Sequence, residues 1–127
     1  VDLGTGFSAK RIYGPVTEGH SFCALLKTDQ IKCWGGNTFG ELGQGDTNAR
    51  GVAPGQLGDS LPPIALGTGR SVRTMAVANQ SACALLDNFE VKCWGLNGDG
   101  QLALGNTTNR GDQTGEMGDA LPFAELK

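Results

Sequence analysis

The sequence predicts an all-β protein built of two tandem repeats, on three observations. The chain matches itself at an offset of 60, residues 21–62 and 81–122 being identical at 21 of 42 positions without a gap. Self-similarity at a fixed period marks a repeat architecture. Glycine supplies 21 of the 127 residues and no long helix-forming run occurs, which points to many turns and left-handed backbone positions. No strict Gly-x-y period is present, so collagen is excluded. Short apolar runs bounded by glycine or polar turns complete the picture; they fit strands better than helices.

Residues 1–8 (Val-Asp-Leu-Gly-Thr-Gly-Phe-Ser) match 64–71 (Ile-Ala-Leu-Gly-Thr-Gly-Arg-Ser), so the chain starts at the phase of its second unit. The offset there is 63, which places three extra residues in the first unit around Tyr13-Gly14-Pro15, where a strand should be interrupted. The units divide at residues 1–63 and 64–127. Residues 10–17 and 72–78 read as strands. The second carries Val72, Ala76 and Ala78 on one parity and Met75 and Val77 on the other, as if buried on both faces.

Residues 21–26 and 30–34 follow as two strands about the turn Lys27-Thr28-Asp29, and the twin turn is Asp87-Asn88-Phe89. Pairing about that turn sets Cys23 opposite Cys33 and Leu25 opposite Ile31 on one face, and likewise Cys83/Cys93 and Leu85/Val91. Opposed residues of an antiparallel ladder lie about 4.5–5.5 Å apart at Cα, within reach of a disulfide. Each bridge would contribute up to about 3 kcal/mol in the chain-entropy model. Small buried thiols packed as apolar groups are the alternative, but they do not explain why both copies keep both partners. Zinc favours short Cys-x-x-Cys knuckles, which are missing. Paired cysteines imply an oxidising, extracellular or periplasmic-type compartment.

After each Trp-Gly comes a long aperiodic segment, 36–63 and 96–122. Both hold Asn-x-x-Gly-(Glu/Gln)-Leu, then Arg-Gly, then Gly-x-(Leu/Met)-Gly-Asp-x-Leu-Pro. Leu42/Leu102, Leu57/Met117 and Leu61/Leu121 are the expected inward anchors. Pro62, Pro63 and Pro122 lead into short strands at 64–66 and 123–126.

Several function classes drop out. The net charge is −3 and no basic cluster exceeds Lys10-Arg11, so no stripe exists to displace counterions from nucleic acid. No apolar run approaches the roughly 20 residues that span a bilayer. The chain opens at Val1 with neither methionine nor signal peptide, as a processed product or a piece of something longer would. With one histidine, His20, and cysteines expected to be oxidised, no nucleophile with a partnered base can be assembled, so no catalytic residue is expected.

No cofactor or metal is expected either. Asn97-Gly98-Asp99-Gly100-Gln101 resembles a calcium loop but lacks the glycine at its sixth position and the acid at its twelfth, Thr108. Gly4-Thr5-Gly6 and Gly67-Thr68-Gly69 lack the helix and the Lys-Ser/Thr of a phosphate loop. Asn106-Thr107-Thr108 and Asn79-Gln80-Ser81 are N-glycosylation sequons, Asn106 being the better placed in its polar loop. Arg110-Gly111-Asp112 spells the adhesion tripeptide, yet Arg50-Gly51-Val52 makes Arg-Gly a feature of the repeat.

Cys-Ala-Leu-Leu, Val-Lys-Cys-Trp-Gly-x-Asn-x-x-Gly-Gln-Leu and Arg-Gly-Asp-x-x-Gly-Glu-Met-Gly-Asp-x-Leu-Pro together resemble repeats of the regulator-of-chromosome-condensation type. The form is the cysteine-paired one of bacterial and algal repeat proteins, and the resemblance covers essentially the whole chain. It implies β-propeller blades, two four-stranded antiparallel repeats, in an incomplete ring or a part of a larger propeller or assembly. There are departures. The glycine usual in the hairpin turn is replaced by Asp29–Gln30 and by Phe89, and Gly19-His20 becomes Asn79-Gln80. Asparagine tolerates positive φ best after glycine, so the backbone is expected to be kept, with His20 as a packing or capping residue.

Two blades cannot close a ring. The expected protein is therefore a non-enzymatic, extracellular structural or assembly module. Its partners would be other copies, adjoining repeats of a longer chain, or a further protein, joined head to tail into a ring or a fibre. The alternatives are guanine-nucleotide exchange on a small GTPase, which the resemblance suggests, and a secreted inhibitor or lectin-like binder.

Overall fold

Each repeat folds its short apolar runs into one antiparallel sheet. In the computed structural model, which describes residues 1–126, β1 (Ala9–Tyr13), β2 (Ser21–Leu26) and β3 (Ile31–Gly35) lie side by side in that order. β4 (Val72–Val77), β5 (Ser81–Leu86) and β6 (Val91–Gly95) repeat the arrangement. The hairpin register is the predicted one, with Cys23 opposite Cys33, Leu25 opposite Ile31, Cys83 opposite Cys93 and Leu85 opposite Val91. The turns close through Asp29 and Phe89 at φ of 65° and 66°, so these two residues stand in the left-handed region that glycine usually fills.

Three expectations are corrected. The sheets have three strands, not four. The segment that would supply the fourth meets its sheet at one bridge only, Gly35 with Arg50 and Gly95 with Arg110. Just beyond, Gly51 and Gly111 take φ of 84° and 88° and turn the chain away before a ladder can form. Residues 64–66 and 123–126 are not strands either. Each donates a single bond to its sheet, Ile64 N–H to the Ile31 carbonyl at 2.9 Å and Ala124 N–H to that of Val91 at 2.8 Å. The prolines before them carry no N–H with which to extend the pairing.

β4, lastly, is not buried on both faces. Val72, Met75 and Val77 are buried while Arg73 and Ala76 are exposed. A register shift between Val72 and Thr74 adds one residue and moves Val72 onto the face of Met75 and Val77. β1 carries the matching shift between Ala9 and Arg11, and it stops at Tyr13 before Gly14-Pro15.

The core lies between the two sheets. Cys23, Leu25, Ile31 and Cys33 on one face of the first pack against Ala82, Ala84, Leu86 and Trp94 on the opposite face of the second. Leu42, Ile64 and Leu121 fill in from the loops. The repeats thus stack in the same sense, front to back.

The loops meet at glycines. A Cβ added to Gly40, which has φ of 80°, would sit 2.4 Å from the Asp112 nitrogen and 2.5 Å from the Gly111 carbonyl carbon. Gly55, with a similar φ of 81°, faces open space. Gly40→Ala should therefore cost about 2–4 kcal/mol of unfolding free energy from clash and strain together, and Gly55→Ala about 1 kcal/mol from strain alone. Urea denaturation of the two variants checks the difference.

Candidate functional site: the two outer sheet faces

The contact inside the chain shows what each face of a repeat can bind. Besides the apolar packing and the Ile64 bond to Ile31, four polar ties cross it. Trp94 Nε1–H donates to the Glu41 carbonyl at 2.9 Å, deep in the interface. Val72 N–H donates to the Asp29 carbonyl at 2.9 Å, and Gly45 N–H to that of Gly111 at 3.0 Å. Tyr13 and Thr74 join through their hydroxyls at 3.2 Å.

Each outer face is the uncovered counterpart of a covered one. On the trailing side, Cys23, Leu25 and Ile31 are 1%, 4% and 0% exposed beneath the second sheet. Their counterparts Cys83, Leu85 and Val91 are only half-buried. Phe89, Val91 and Phe123 line an open groove of about 700 Å³ there, and Phe89 is 70% exposed. On the leading side, Met75 and Trp94 are buried at 7% and 0%, whereas Ile12, in the place of Met75, is 55% exposed. Trp34 is half-buried, and among the described residues its indole N–H has no acceptor. Phe22, replacing Ala82, is 42% exposed. Contiguous apolar surface of this kind marks an interaction site.

No family model matches the chain. It is 29% identical over 116 residues to the ultraviolet-B receptor UVR8 of Arabidopsis thaliana, covering 86% of this chain and 24% of the receptor. It is 33% identical over 88 residues to the X-linked retinitis pigmentosa GTPase regulator of Canis lupus familiaris, covering 67% of this chain and 8% of the regulator. The chain therefore spans a quarter or less of the length of these relatives. Among solved structures, Prp20p of Saccharomyces cerevisiae superposes on 100% of this chain and 28% of its own, with a TM-score of 0.66 and 14% identity. Human WBSCR16 covers 75% of this chain and 23% of its own, with a TM-score of 0.56 and 20% identity. The two repeats are of the regulator-of-chromosome-condensation type.

In these chromosome-condensation-type repeats both predicted bridges, Cys23–Cys33 and Cys83–Cys93, are formed, with Cα atoms 4.0 Å apart. Leu42, Leu102, Leu61 and Leu121 are the buried anchors expected, and Leu57 and Met117 are half-buried. Asn79 and Asn106 are both exposed. Asn106 also takes part in a turn, its Oδ1 accepting from Thr108 N–H at 3.1 Å and from Asn97 at 3.2 Å.

Other motifs are used locally. Gly111 of Arg-Gly-Asp is buried against Gly40 of the first repeat and is no loop tip. The side chain of His20 is exposed, and the residue acts through its backbone: its carbonyl accepts Gly36 N–H at 2.8 Å, as that of Gln80 accepts Leu96 N–H at 2.8 Å. Neither Gly19 nor Asn79 has positive φ. Gly19 is instead required because a Cβ there would lie 2.4 Å from Pro15 of the three-residue insertion.

Sequence reading missed the residues that shape the loops. Asn37 is buried, its amide donating to the Asp46 and Asn48 carbonyls at 2.9 and 3.0 Å while its oxygen accepts Leu42 N–H at 2.9 Å. Asn97 does the same with Asn106, Thr108 and Leu102, which commits its amide to the loop. Lys32 and Lys92 are buried in mid-strand. Lys32 donates to the Leu3 and Gly58 carbonyls at 2.8 and 3.1 Å and lies 4.4 Å from the Phe7 ring. Lys92 reaches the Gly118 carbonyl at 2.8 Å; burial pushes its ammonium pKa down, and the charges of Asp119 and Glu90 only partly oppose that.

The Gly-Thr-Gly turns bind carboxylates of their own repeats. Thr5 donates its N–H and hydroxyl to Asp59 at 2.8 and 2.9 Å, and Thr68 donates to Asp119 at 2.8 and 2.6 Å. The positions and charges of these residues were visible in the sequence, since each recurs in both repeats, but their partners were not.

Two predictions follow from this geometry. The Thr5 bonds hold the Asp59 carboxyl, and the Thr68 bonds that of Asp119, below the ordinary 3.8. A folded-state pKa below the unfolded one adds stability that is present above the unfolded value and lost as pH falls through the folded one. Urea midpoints should thus fall as pH drops from about 5 to 2, and Asp59→Asn with Asp119→Asn should flatten that fall. The second prediction concerns reduction. Cys83 is half-buried whereas Cys23 is 1% exposed, so in the separated chain a mild thiol reductant should open Cys83–Cys93 first, as mass spectrometry of alkylated peptides would show.

Proposed function

We propose that this chain is a non-enzymatic module of an extracellular protein, with a structural role, working by docking its repeat faces onto further repeats or other copies. The observation that carries this reading is the half-exposed face of Cys83, Leu85 and Val91, whose twin in the first repeat is buried at a repeat–repeat contact. The extracellular part is supported by the two bridges, which persist in oxidising compartments. Under it, the exposed Asn106 and Asn79 are acceptors for N-linked glycan. Among the described residues no helix is long and apolar enough to cross a membrane.

A second reading, binding to a small GTPase, is favoured by the 33% identity to a protein named as a GTPase regulator. Prp20p, which shares the fold, has been described with its binding to Gsp1p and histones. The short share of these proteins that the chain spans places this reading second.

Native mass and intact mass with and without reductant test the proposal. Species larger than the monomer, each chain carrying two bridges, are expected. Four free thiols in the native protein would remove the extracellular reading, and stimulated nucleotide release from a GTPase would reverse the order of the two readings.

A further inference from the structure

The geometry points to a second copy of this chain as the occupant of the trailing face, docked through its own leading face as the two repeats dock within one chain. This inference rests on the assembly reading above and gives it defined surfaces. Cys83, Leu85 and Val91 of one copy would cover Ile12, Phe22 and Trp34 of the next. The same offset that maps the repeats onto each other also maps the polar ties. Trp34 Nε1–H, which has no acceptor among the described residues, would donate to the Gln101 carbonyl, the counterpart of Glu41 in the bond from Trp94. Ala9 N–H would meet the Phe89 carbonyl, as Val72 meets Asp29, and Gly105 N–H the Gly51 carbonyl, as Gly45 meets Gly111. Charge agrees with this pairing: Glu90 and Glu125 edge the trailing groove, and exposed Arg11 lies on β1 at the leading edge, whereas its neighbour Lys10 is already paired with Asp29.

One substitution makes the joint between copies weaker than the joint inside the chain. A Cβ on Gly43 would lie 3.1 Å from Trp94 Nε1 and 3.0 Å from Ile64 Cγ2. Its counterpart is Ala103, which carries that methyl and holds φ of 55°. The docked Trp34 has to shift by a few tenths of an ångström to clear it.

Because the contact joins unlike faces, it can be tested by mixing. Leu85→Arg spoils only the trailing face, and Ile12→Arg only the leading face. By sedimentation velocity each variant alone should be monomeric, and an equimolar mixture should form a one-to-one dimer that grows no further. Circular dichroism and retention of both disulfides confirm folding of each variant. Ala103→Gly should tighten association of the otherwise unchanged chain by roughly tenfold, since it removes the methyl that the docked Trp34 has to clear. The left-handed strain is present with or without a partner and affects folding, not association. In the assembled protein the Cys83–Cys93 bridge should become as slow to reduce as Cys23–Cys33. Variants that associate like the parent overturn these faces as the joint and leave the assembly reading standing. Two monomeric variants that do not complement each other overturn the head-to-tail geometry. A parent chain that stays monomeric at high concentration overturns this inference and the docking onto other copies, and leaves docking onto further repeats as the reading that stands.

Discussion

A three-stranded sheet that is apolar on both faces must be covered twice, and the rest of this structure follows from that requirement. Each repeat covers part of one face itself. Its N-terminal segment folds back so that the Lys32 ammonium is held by the Leu3 and Gly58 carbonyls, with Phe7 alongside, and Ala24 and Leu26 are fully buried. The opposite face, with the disulfide and its aliphatic neighbours, has no such cover within the repeat and is closed only by the next sheet. Burial of whole aliphatic side chains, each worth about 1.5–3 kcal/mol, rewards that stacking, and the Trp94 bond to Glu41 fixes its register. Glycine at 40 and 111 lets the loop backbones approach closely enough for the sheets to meet.

The long loops are ordered although they hold almost no regular structure, because their polar groups are satisfied locally. Asn37 and Asn97 each tie three backbone groups from the inside. A buried amide with its bonds made rigidifies its surroundings, whereas one left unmade is costly. Asp46 shows the balance of such forces. Burial pushes its carboxyl up, but the bonds and charge of Arg50 and the bonds from Asn48 outweigh that and leave it lowered. Held in this way, the loops present Leu42 and Leu102 to the interior as fixed anchors.

The hairpins were legible in the sequence because strand parity and cysteine spacing agree on one register. The positions of the buried leucines were legible too, since both repeats keep them. β4 was misread because a period-two pattern assumes a regular ladder, and the one-residue shift after Val72 changes which side chains share a face. The fourth strand was expected from family likeness, while the left-handed glycines at 51 and 111, which end the pairing, look in sequence like any other turn residues. Lys32 and Lys92 were missed for a different reason. A lysine within an apolar strand reads as solvent-facing unless the carbonyls that replace its hydration are known, and only the folded loops bring them near.

The two bridges carry the same local sequence, the same hairpin register and the same Cα separation, yet one is sealed and the other half-open. The difference cannot originate in the hairpins, which are equivalent. It comes from packing, since among the described residues the first hairpin has a sheet against its disulfide face and the second has none. The same comparison explains the tryptophans: Trp94 is fully buried and bonded, whereas Trp34, at the leading end, is half-buried. Local sequence thus determines the blade, and neighbouring repeats determine how much of it is hidden. The unequal burial of equivalent residues is therefore a direct measure of which contacts the chain completes by itself.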